Sequence, residues 1–329
     1  MKVSLVVTIL NEEKTILRFL KSVWRQTVKP EELIIVDGGS TDKTIDLIKN
    51  FEKNFSSKEK IKIKLLICVG ANRSVGRNIG IREAKNEIIA VTDAGCILDR
   101  KWLNRITQPF LNKEVNVVAG FYLPKTRTIF QKCLAPYFCV MKETIEKKSK
   151  LKNFEFLPSS RSLAFRKKVW SEAGGYPEKM NYCEDLVFDQ RIKKAGYKLN
   201  FIKEAVVFWP QRKNLSEAFR QFFNYAVGDG QVLFSDEQTH SLKIFLIFFR
   251  YLVFIFLFVW GFIFRESWSF LYILFLFYLF WSFYKNFKFV KDVQAVFWLP
   301  TIQIVSDFAI MAGVIKGIFL KEKVDKIKE

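Results

Sequence analysis

Histidine is nearly missing from this 329-residue chain, with His240 the only one, and cysteine is sparse at five. Cys68, Cys96, Cys133, Cys139 and Cys183 are odd in number and never fall in C-x-x-C spacing. That argues against a disulfide framework or a zinc site and fits a reducing compartment. His240 lies in a short polar linker and is assigned no chemistry. The N-terminus does not read as a signal peptide: its apolar run, Val3 to Leu10, is short and ends in Asn11-Glu12-Glu13, without a small-residue cleavage site. A glycine-rich phosphate turn is missing after that run, where a dinucleotide-binding fold would carry one. Acids are in deficit, 33 against 53 Lys and Arg, and the net charge is +20. Of this, +15 falls in the first 240 residues. The surplus suits a phosphorylated ligand or an acidic leaflet. No nucleic-acid motif accompanies it, so nucleic acid is not an expected partner.

What is present divides in two. Up to about residue 235 the composition is that of a soluble domain, whereas from Leu242 onward Phe, Leu, Ile, Val and Trp dominate. Val3 to Leu10, Glu32 to Val36, Lys62 to Cys68 and Ile88 to Val91 read as buried strands. Helical patterns from Glu13 to Gln26, after Ser40-Thr41 and through Ala84 separate them. This alternation predicts an α/β fold with a doubly wound, mostly parallel sheet. Ligands bind such sheets outside the carboxyl ends of the strands. Those ends carry Glu12, Asp37, the pair Arg73 and Arg77, and Asp93. Acids there suit a base and ribose, and the arginines suit a pyrophosphate.

The pieces resemble the family-2 glycosyltransferases with the GT-A, nucleotide-sugar-binding fold. They are Val6-Val7-Thr8-Ile9-Leu10-Asn11-Glu12, Ile34-Ile35-Val36-Asp37-Gly38-Gly39-Ser40-Thr41-Asp42, Gly76-Arg77-Asn78-Ile79-Gly80 and Val91-Thr92-Asp93-Ala94-Gly95. Gly174-Gly175-Tyr176 and Cys183-Glu184-Asp185-Leu186-Val187-Phe188 complete the set. Each is weak alone; six in order over about 190 residues are specific, by the standard that a motif counts through its context. The resemblance implies that Thr8, Glu12 and Asp37 contact the nucleoside and that Arg77, with Arg73, approaches the diphosphate. It implies Asp93 as the ribose and metal carboxylate. It further implies the pair Glu184-Asp185 as catalytic, with Asp185 the base that takes a proton from the acceptor. One departure stands out. The family's Asp-x-Asp has Gly95 in place of its second acid, so a divalent cation, Mg²⁺ or Mn²⁺, would have one protein carboxylate here.

Leu242 to Phe264, Trp268 to Tyr284 and Ala295 to Leu320 read as a bundle of two to three transmembrane helices. Arg250 interrupts the first. Its 18 Leu, Ile, Phe and Val residues favour insertion by about 5–11 kcal/mol against about 3 lost to the Arg. Lys285, Lys288 and Lys291 place the second loop, and with it the catalytic domain, in the cytoplasm. A third full span would then put Lys321, Lys323, Lys326 and Lys328 outside, against the same rule, unless one segment is re-entrant. Ahead of these segments, Phe208 to Tyr225 reads as an amphipathic connector, suited to the bilayer surface and to the soluble core alike. Thr128 to Met141 reads as an acceptor-side helix near the membrane.

The expected organisation is a glycosyltransferase domain over 1–235, divided into a nucleotide-binding half (1–100) and an acceptor half (101–235). A transmembrane region (242–320) and a basic tail (321–329) follow. The expected function is an inverting transfer from a nucleotide sugar to a lipid-linked or polysaccharide acceptor, by a multi-pass protein of the cell membrane. A polyprenyl-phosphate acceptor is one alternative, and a non-catalytic sugar-nucleotide-binding membrane protein is the alternative of another class.

Overall fold

A computed structural model describes residues 1–55, 61–148 and 156–325; residues 326–329 of the expected basic tail lie outside them. In chain order the elements begin β1 (Val3–Ile9), α1 (Ile16–Trp24), β2 (Glu32–Asp37), α2 (Thr44–Phe55), β3 (Lys62–Ile67), α3 (Arg73–Glu83) and β4 (Ile88–Asp93). Next come β5 (Ile97–Leu98), α4 (Trp102–Thr107), β6 (Val117–Lys125), α5 (Ile129–Phe138), α6 (Lys142–Lys148) and β7 (Leu163–Arg166). Then follow α7 (Lys167–Glu172), α8 (Glu184–Lys194), β8 (Leu199–Pro210), α9 (Leu215–Val232), α10 (Ser241–Trp260), α11 (Ser267–Val290) and α12 (Ala295–Asp325). The chain divides into two compact units, residues 1–125 with 142–210, and residues 126–141 with 211–329.

The first unit is built on one eight-stranded sheet of order β3-β2-β1-β4-β7-β6-β8-β5. The four expected strands are there and pair in parallel. The apolar runs of β1, β2 and β4 are buried on both faces, as parallel strands under crossover helices must be, whereas β3, expected to be buried, lies at the sheet's edge and is half-buried to exposed. Beyond β4 the sheet departs from the mostly parallel expectation. β7 runs antiparallel to both β4 and β6, β5 antiparallel to β8, and only β6 and β8 are parallel. The sheet is therefore mixed. β7 is a four-residue return strand that pairs antiparallel beside β4.

Two glycines set how closely α3 approaches the sheet. A Cβ on Gly76 would stand 2.8 Å from Thr8 Cγ2, and one on Gly80 would stand 2.5 Å from Val6 Cγ1. Both are one turn apart on the face that packs on β1, so the helix backbone lies against the strand. Gly80→Ala is expected to destabilise by about 1–2 kcal/mol in a thermal melt. At 2.5 Å the overpacking belongs in the upper part of its usual range, about 2–3 kcal/mol, and outweighs the roughly 1 kcal/mol that Ala gains in helix preference. A melt as stable as the parent would refute that close approach.

The second unit is helical. α10, α11 and residues 295–321 of α12 are each long and apolar enough to cross a membrane, which marks a multi-pass membrane protein. Of the expected connector Phe208 to Tyr225, Phe208 to Pro210 close strand β8, and only from Leu215 does the chain form α9, which packs along α12. There Gly313 and Gly317 let the backbones touch: a Cβ on either would stand 2.4 Å from the Phe223 carbonyl or 2.3 Å from that of Val227. Arg250, the defect in the first apolar segment, donates to Asp307, which is fully buried on α12 and also accepts from Tyr278 (2.6 Å) and Gln303 (2.8 Å). An ion pair with further hydrogen bonds is how such groups are tolerated within apolar helices.

Candidate active site

The register of the parallel strands decides which polar residues meet at their carboxyl ends. Thr8 is opposite Asp93, and Ile9 opposite Asp37. Asp37 is buried and spends its carboxylate on its own turn, accepting from the backbone N–H groups of Gly39 (2.9 Å) and Ser40 (2.8 Å) and from the Ser40 hydroxyl. The preceding loop is tied to the same turn: Asn11 accepts from the Thr41 N–H and its own N–H donates to Ser40. Glu12 follows, half-buried, with its carboxylate accepting from Thr15 and its N–H donating to Thr44. These three sequence candidates therefore form one shelf over the ends of β1 and β2.

α3 is capped by Asn72, whose side chain accepts from the Val75 N–H. Asn78 on its inner face exchanges hydrogen bonds with Tyr176, donating to the carbonyl and accepting from the N–H, both at 2.9 Å. Gly175, at φ +70°, permits this approach, because a Cβ there would crowd the Asn78 amide oxygen at 3.0 Å. Two separate sequence pieces, one holding Arg77 and one holding Tyr176, thus become neighbours.

Arg77 is 2 % exposed, and its fork joins two candidate acids. Nη2 donates to Asp93 at 2.8 Å and Nη1 to Glu184 at 2.6 Å, with the guanidinium 5.2 Å from the centre of the Tyr176 ring. Arg73 is exposed on the preceding turn, over the ring of Tyr182. Burial pushes the Asp93 carboxyl up, but the summed attraction of Arg77, Arg161 and Arg73 holds it below the ordinary range. For Glu184 the balance tips the other way. Burial raises its pKa, and Arg77 only partly offsets that.

Sequence reasoning missed Arg161, in the loop that enters β7. Its Nε lies 3.6 Å from Asp93 Oδ2, and its guanidinium sits 3.9 Å from the centre of the Trp209 ring. Through Nη1 it donates to the Ser159 hydroxyl (2.7 Å), which donates to Asp185 Oδ2 (2.8 Å). A continuous path thereby runs from Asp93 to Arg161, Ser159 and Asp185. The run Ser159-Ser160-Arg161-Ser162 has no periodicity that would have marked it. Asp185 is half-buried in the first turn of α8, where the helix N-terminus favours its anion. One turn on, Asp189 is buried and accepts no hydrogen bond among the described residues. Burial, helped by the charge of Asp185, raises its pKa well above the usual range. A charged Asp189 behind Asp185 is thereby disfavoured.

As a cation site this arrangement offers little. Among the described residues no three His, Cys, Asp or Glu side chains gather as metal ligands. Asp93 has a guanidinium facing each oxygen. Position 95 has room, since a Cβ on Gly95 would meet nothing within 4 Å.

Comparison with known proteins matches this geometry to a family. The model described as glycosyl transferase family 2 matches residues 4–171, and that described as glycosyl transferase family group 2 matches 88–287. Glycosyltransferase AglE of Haloferax volcanii is 27 % identical over 236 residues, covering 70 % of this chain and 73 % of that protein. The O-antigen chain rhamnosyltransferase RfbN of Salmonella typhimurium is 25 % identical over 237 residues, covering 69 % and 72 %. Among solved structures, a mannosyltransferase from Pyrobaculum calidifontis in complex with GDP-Man and Mn²⁺ aligns at a TM-score of 0.57 and 15 % identity, covering 96 % of this chain and 87 % of that one. TarS 1–349 of S. aureus with UDP-GlcNAc aligns at 0.51 and 16 %, covering 99 % and 92 %. These two share the fold.

Proposed function

The chain belongs to the family-2 glycosyltransferases, transferring a sugar from a nucleotide-sugar donor at a membrane, and from that premise we propose an inverting transfer to the hydroxyl of a lipid-linked or growing glycan at the cytoplasmic face. The observation that carries this reading is the path Asp93–Arg161–Ser159–Asp185, which joins the donor shelf to a carboxylate at a helix N-terminus. The nucleoside rests on Thr8, Glu12 and Asp37, with Asp93 toward the ribose. The diphosphate lies toward Arg161 and Arg73. Asp185 takes the proton as the acceptor oxygen attacks the anomeric carbon, and the bond from that carbon to the diphosphate breaks on the opposite face. The nucleoside diphosphate leaves with its negative charge met by the arginines. Arg77 and Glu184 act behind this surface: their buried pair fixes the positions of Asp93 and α8. Likeness to an O-antigen chain rhamnosyltransferase supports a glycan acceptor.

A divalent cation would have only Asp93 as a protein carboxylate, in competition with Arg161, so no step is routed through one. The test is transfer of radiolabel from a panel of nucleotide sugars into the organic-extractable fraction of membranes bearing the protein, across a Mn²⁺ titration. Labelled product from one donor is expected. Failure of every donor would sink the reading. In the same assay Gly95→Asp, at a position where an added Cβ meets nothing within 4 Å, is expected to lower the half-saturating Mn²⁺ concentration about tenfold, or ~1.4 kcal/mol for one added ligand.

A further inference from the structure

The three apolar helices of the second unit are not equivalent. α10 and α11 form an antiparallel hairpin. Near its tip Phe258 packs on Trp268 (ring centres 5.2 Å apart), and farther down Phe254 packs on Tyr278 (5.9 Å), with Arg250 over the same Tyr278 ring (4.7 Å). The start of α10 and the end of α11 therefore share one face of the bilayer, and the turn at 261–266 occupies the other.

α12 leaves the end of α11 after only four residues, and Ala295 and Leu299 share an apolar cluster with Val290. Were it to span, its later turns would rise to the level of the 261–266 turn. They do not. Ile310 and Val314 cluster with Ile244 and Ile247, in the first two turns of α10, with Ile318 packed against them. Both ends of residues 295–318 thus sit at the face where the hairpin begins and ends. At 1.5 Å per residue that stretch is about 35 Å long, so it runs across the base of the hairpin. It dips where Asp307 meets Arg250 and Tyr278.

α9 gives an independent reason. It runs beside α12 in the same direction, from Phe223 at Gly313 to Val227 at Gly317. It also carries Glu217, Arg220, Asn224 and Asp229, a load that hydrocarbon does not accept in an 18-residue helix. The burial pattern agrees: in an 18-residue apolar stretch of each helix, 44 % is buried within the protein for α12, against 11 % for α10 and 17 % for α11. Its outward face carries Phe308, Ala312, Ile315 and Phe319, with Lys316 long enough to reach the headgroups.

We infer that α12 does not cross the bilayer but lies in the leaflet at the face where α10 begins and α11 ends, with Phe308, Ile315 and Phe319 facing acyl chains. The inference rests on α10 and α11 being membrane helices. It leaves two spans, and it puts Lys321 on the face that holds Lys285, Lys288 and Lys291, as the positive-inside rule asks.

The test is labelling by a membrane-impermeant maleimide in intact cells and in inside-out vesicles. Single positions are used: exposed Lys113→Cys in the first unit, exposed Arg265→Cys in the hairpin turn and half-buried Lys321→Cys near the end of α12. The unsubstituted protein, whose five cysteines are buried or half-buried, sets the background. Lys321→Cys is expected to label from the same side as Lys113→Cys, and Arg265→Cys from the other. Labelling of Lys321→Cys together with Arg265→Cys would overturn the inference and make α12 a third span. If Arg265→Cys labels with Lys113→Cys instead, the hairpin itself does not cross, and the membrane reading fails with the inference.

Discussion

Asp185→Asn is expected to lower turnover by about 10²–10⁴-fold, the range for loss of a positioned general base, with little change in donor affinity. The amide keeps the shape of the carboxylate and can still accept from Ser159, so the arginine path to Asp93 survives. What it loses is the ability to take a proton. That separates chemistry from binding: kcat falls while the donor's KM stays close to that of the parent. Asp185 sits at the helix N-terminus of α8, a place that suits a carboxylate, whereas burial raises the pKa of Asp189 behind it and disfavours that anion. Steady-state kinetics on membranes, with donor and acceptor varied separately, would measure the split. Unchanged turnover would mean that the acceptor arrives already ionised, as a polyprenyl phosphate does, and would remove the hydroxyl-acceptor reading while leaving the family intact.

The parts of this site that sequence made legible are those written in short range. Val3–Ile9, Glu32–Asp37 and Ile88–Asp93 are continuous apolar runs stopped by polar residues, so both the strands and the chemistry at their ends can be read from a few neighbours. Gly95 was equally legible, as a missing acid. The other half of the sheet was not. β7 has four residues, and nothing local in Leu163–Arg166 says that it runs antiparallel between β4 and β6. Arg161 is invisible for a related reason: its importance comes from Asp93 and Trp209, which β4 and β8 bring to it, and from what its neighbour Ser159 reaches. The amphipathic face of α9 was readable, but its cover was not, because Gly313 and Gly317 lie some 90 residues along and act only by the absence of side chains.

Arg77 is the residue whose removal should do most to the fold. It reads in sequence as an arginine beside the diphosphate, yet it is 2 % exposed and holds together acids from opposite halves of the domain, Asp93 and Glu184. Arg77→Met keeps the stem and removes the charge, leaving a buried carboxylate without its cation; the expected loss is about 3–5 kcal/mol. Arg77→Lys should fall between, since one ammonium cannot reproduce the two-pronged geometry. The pH dependence gives the sign. Burial already raises the Glu184 pKa with Arg77 opposing it, so without Arg77 the folded state binds a proton there more readily still. Ionised Glu184 then costs stability at neutral pH, and acidification through its raised folded pKa relieves that cost. Asp93 works in the other direction. Its depressed pKa contributes stability above its unfolded value, which is lost only as pH falls through the folded one, and it still has Arg161 in the variant. The gap between variant and parent should therefore narrow as pH drops from 8 toward 5, and Arg77→Met/Glu184→Gln should recover part of it at pH 8. Melting curves of the detergent-solubilised proteins across that range would decide. A variant that melts with the parent at pH 8 would show that Arg77 is not the cation that holds these two acids in place.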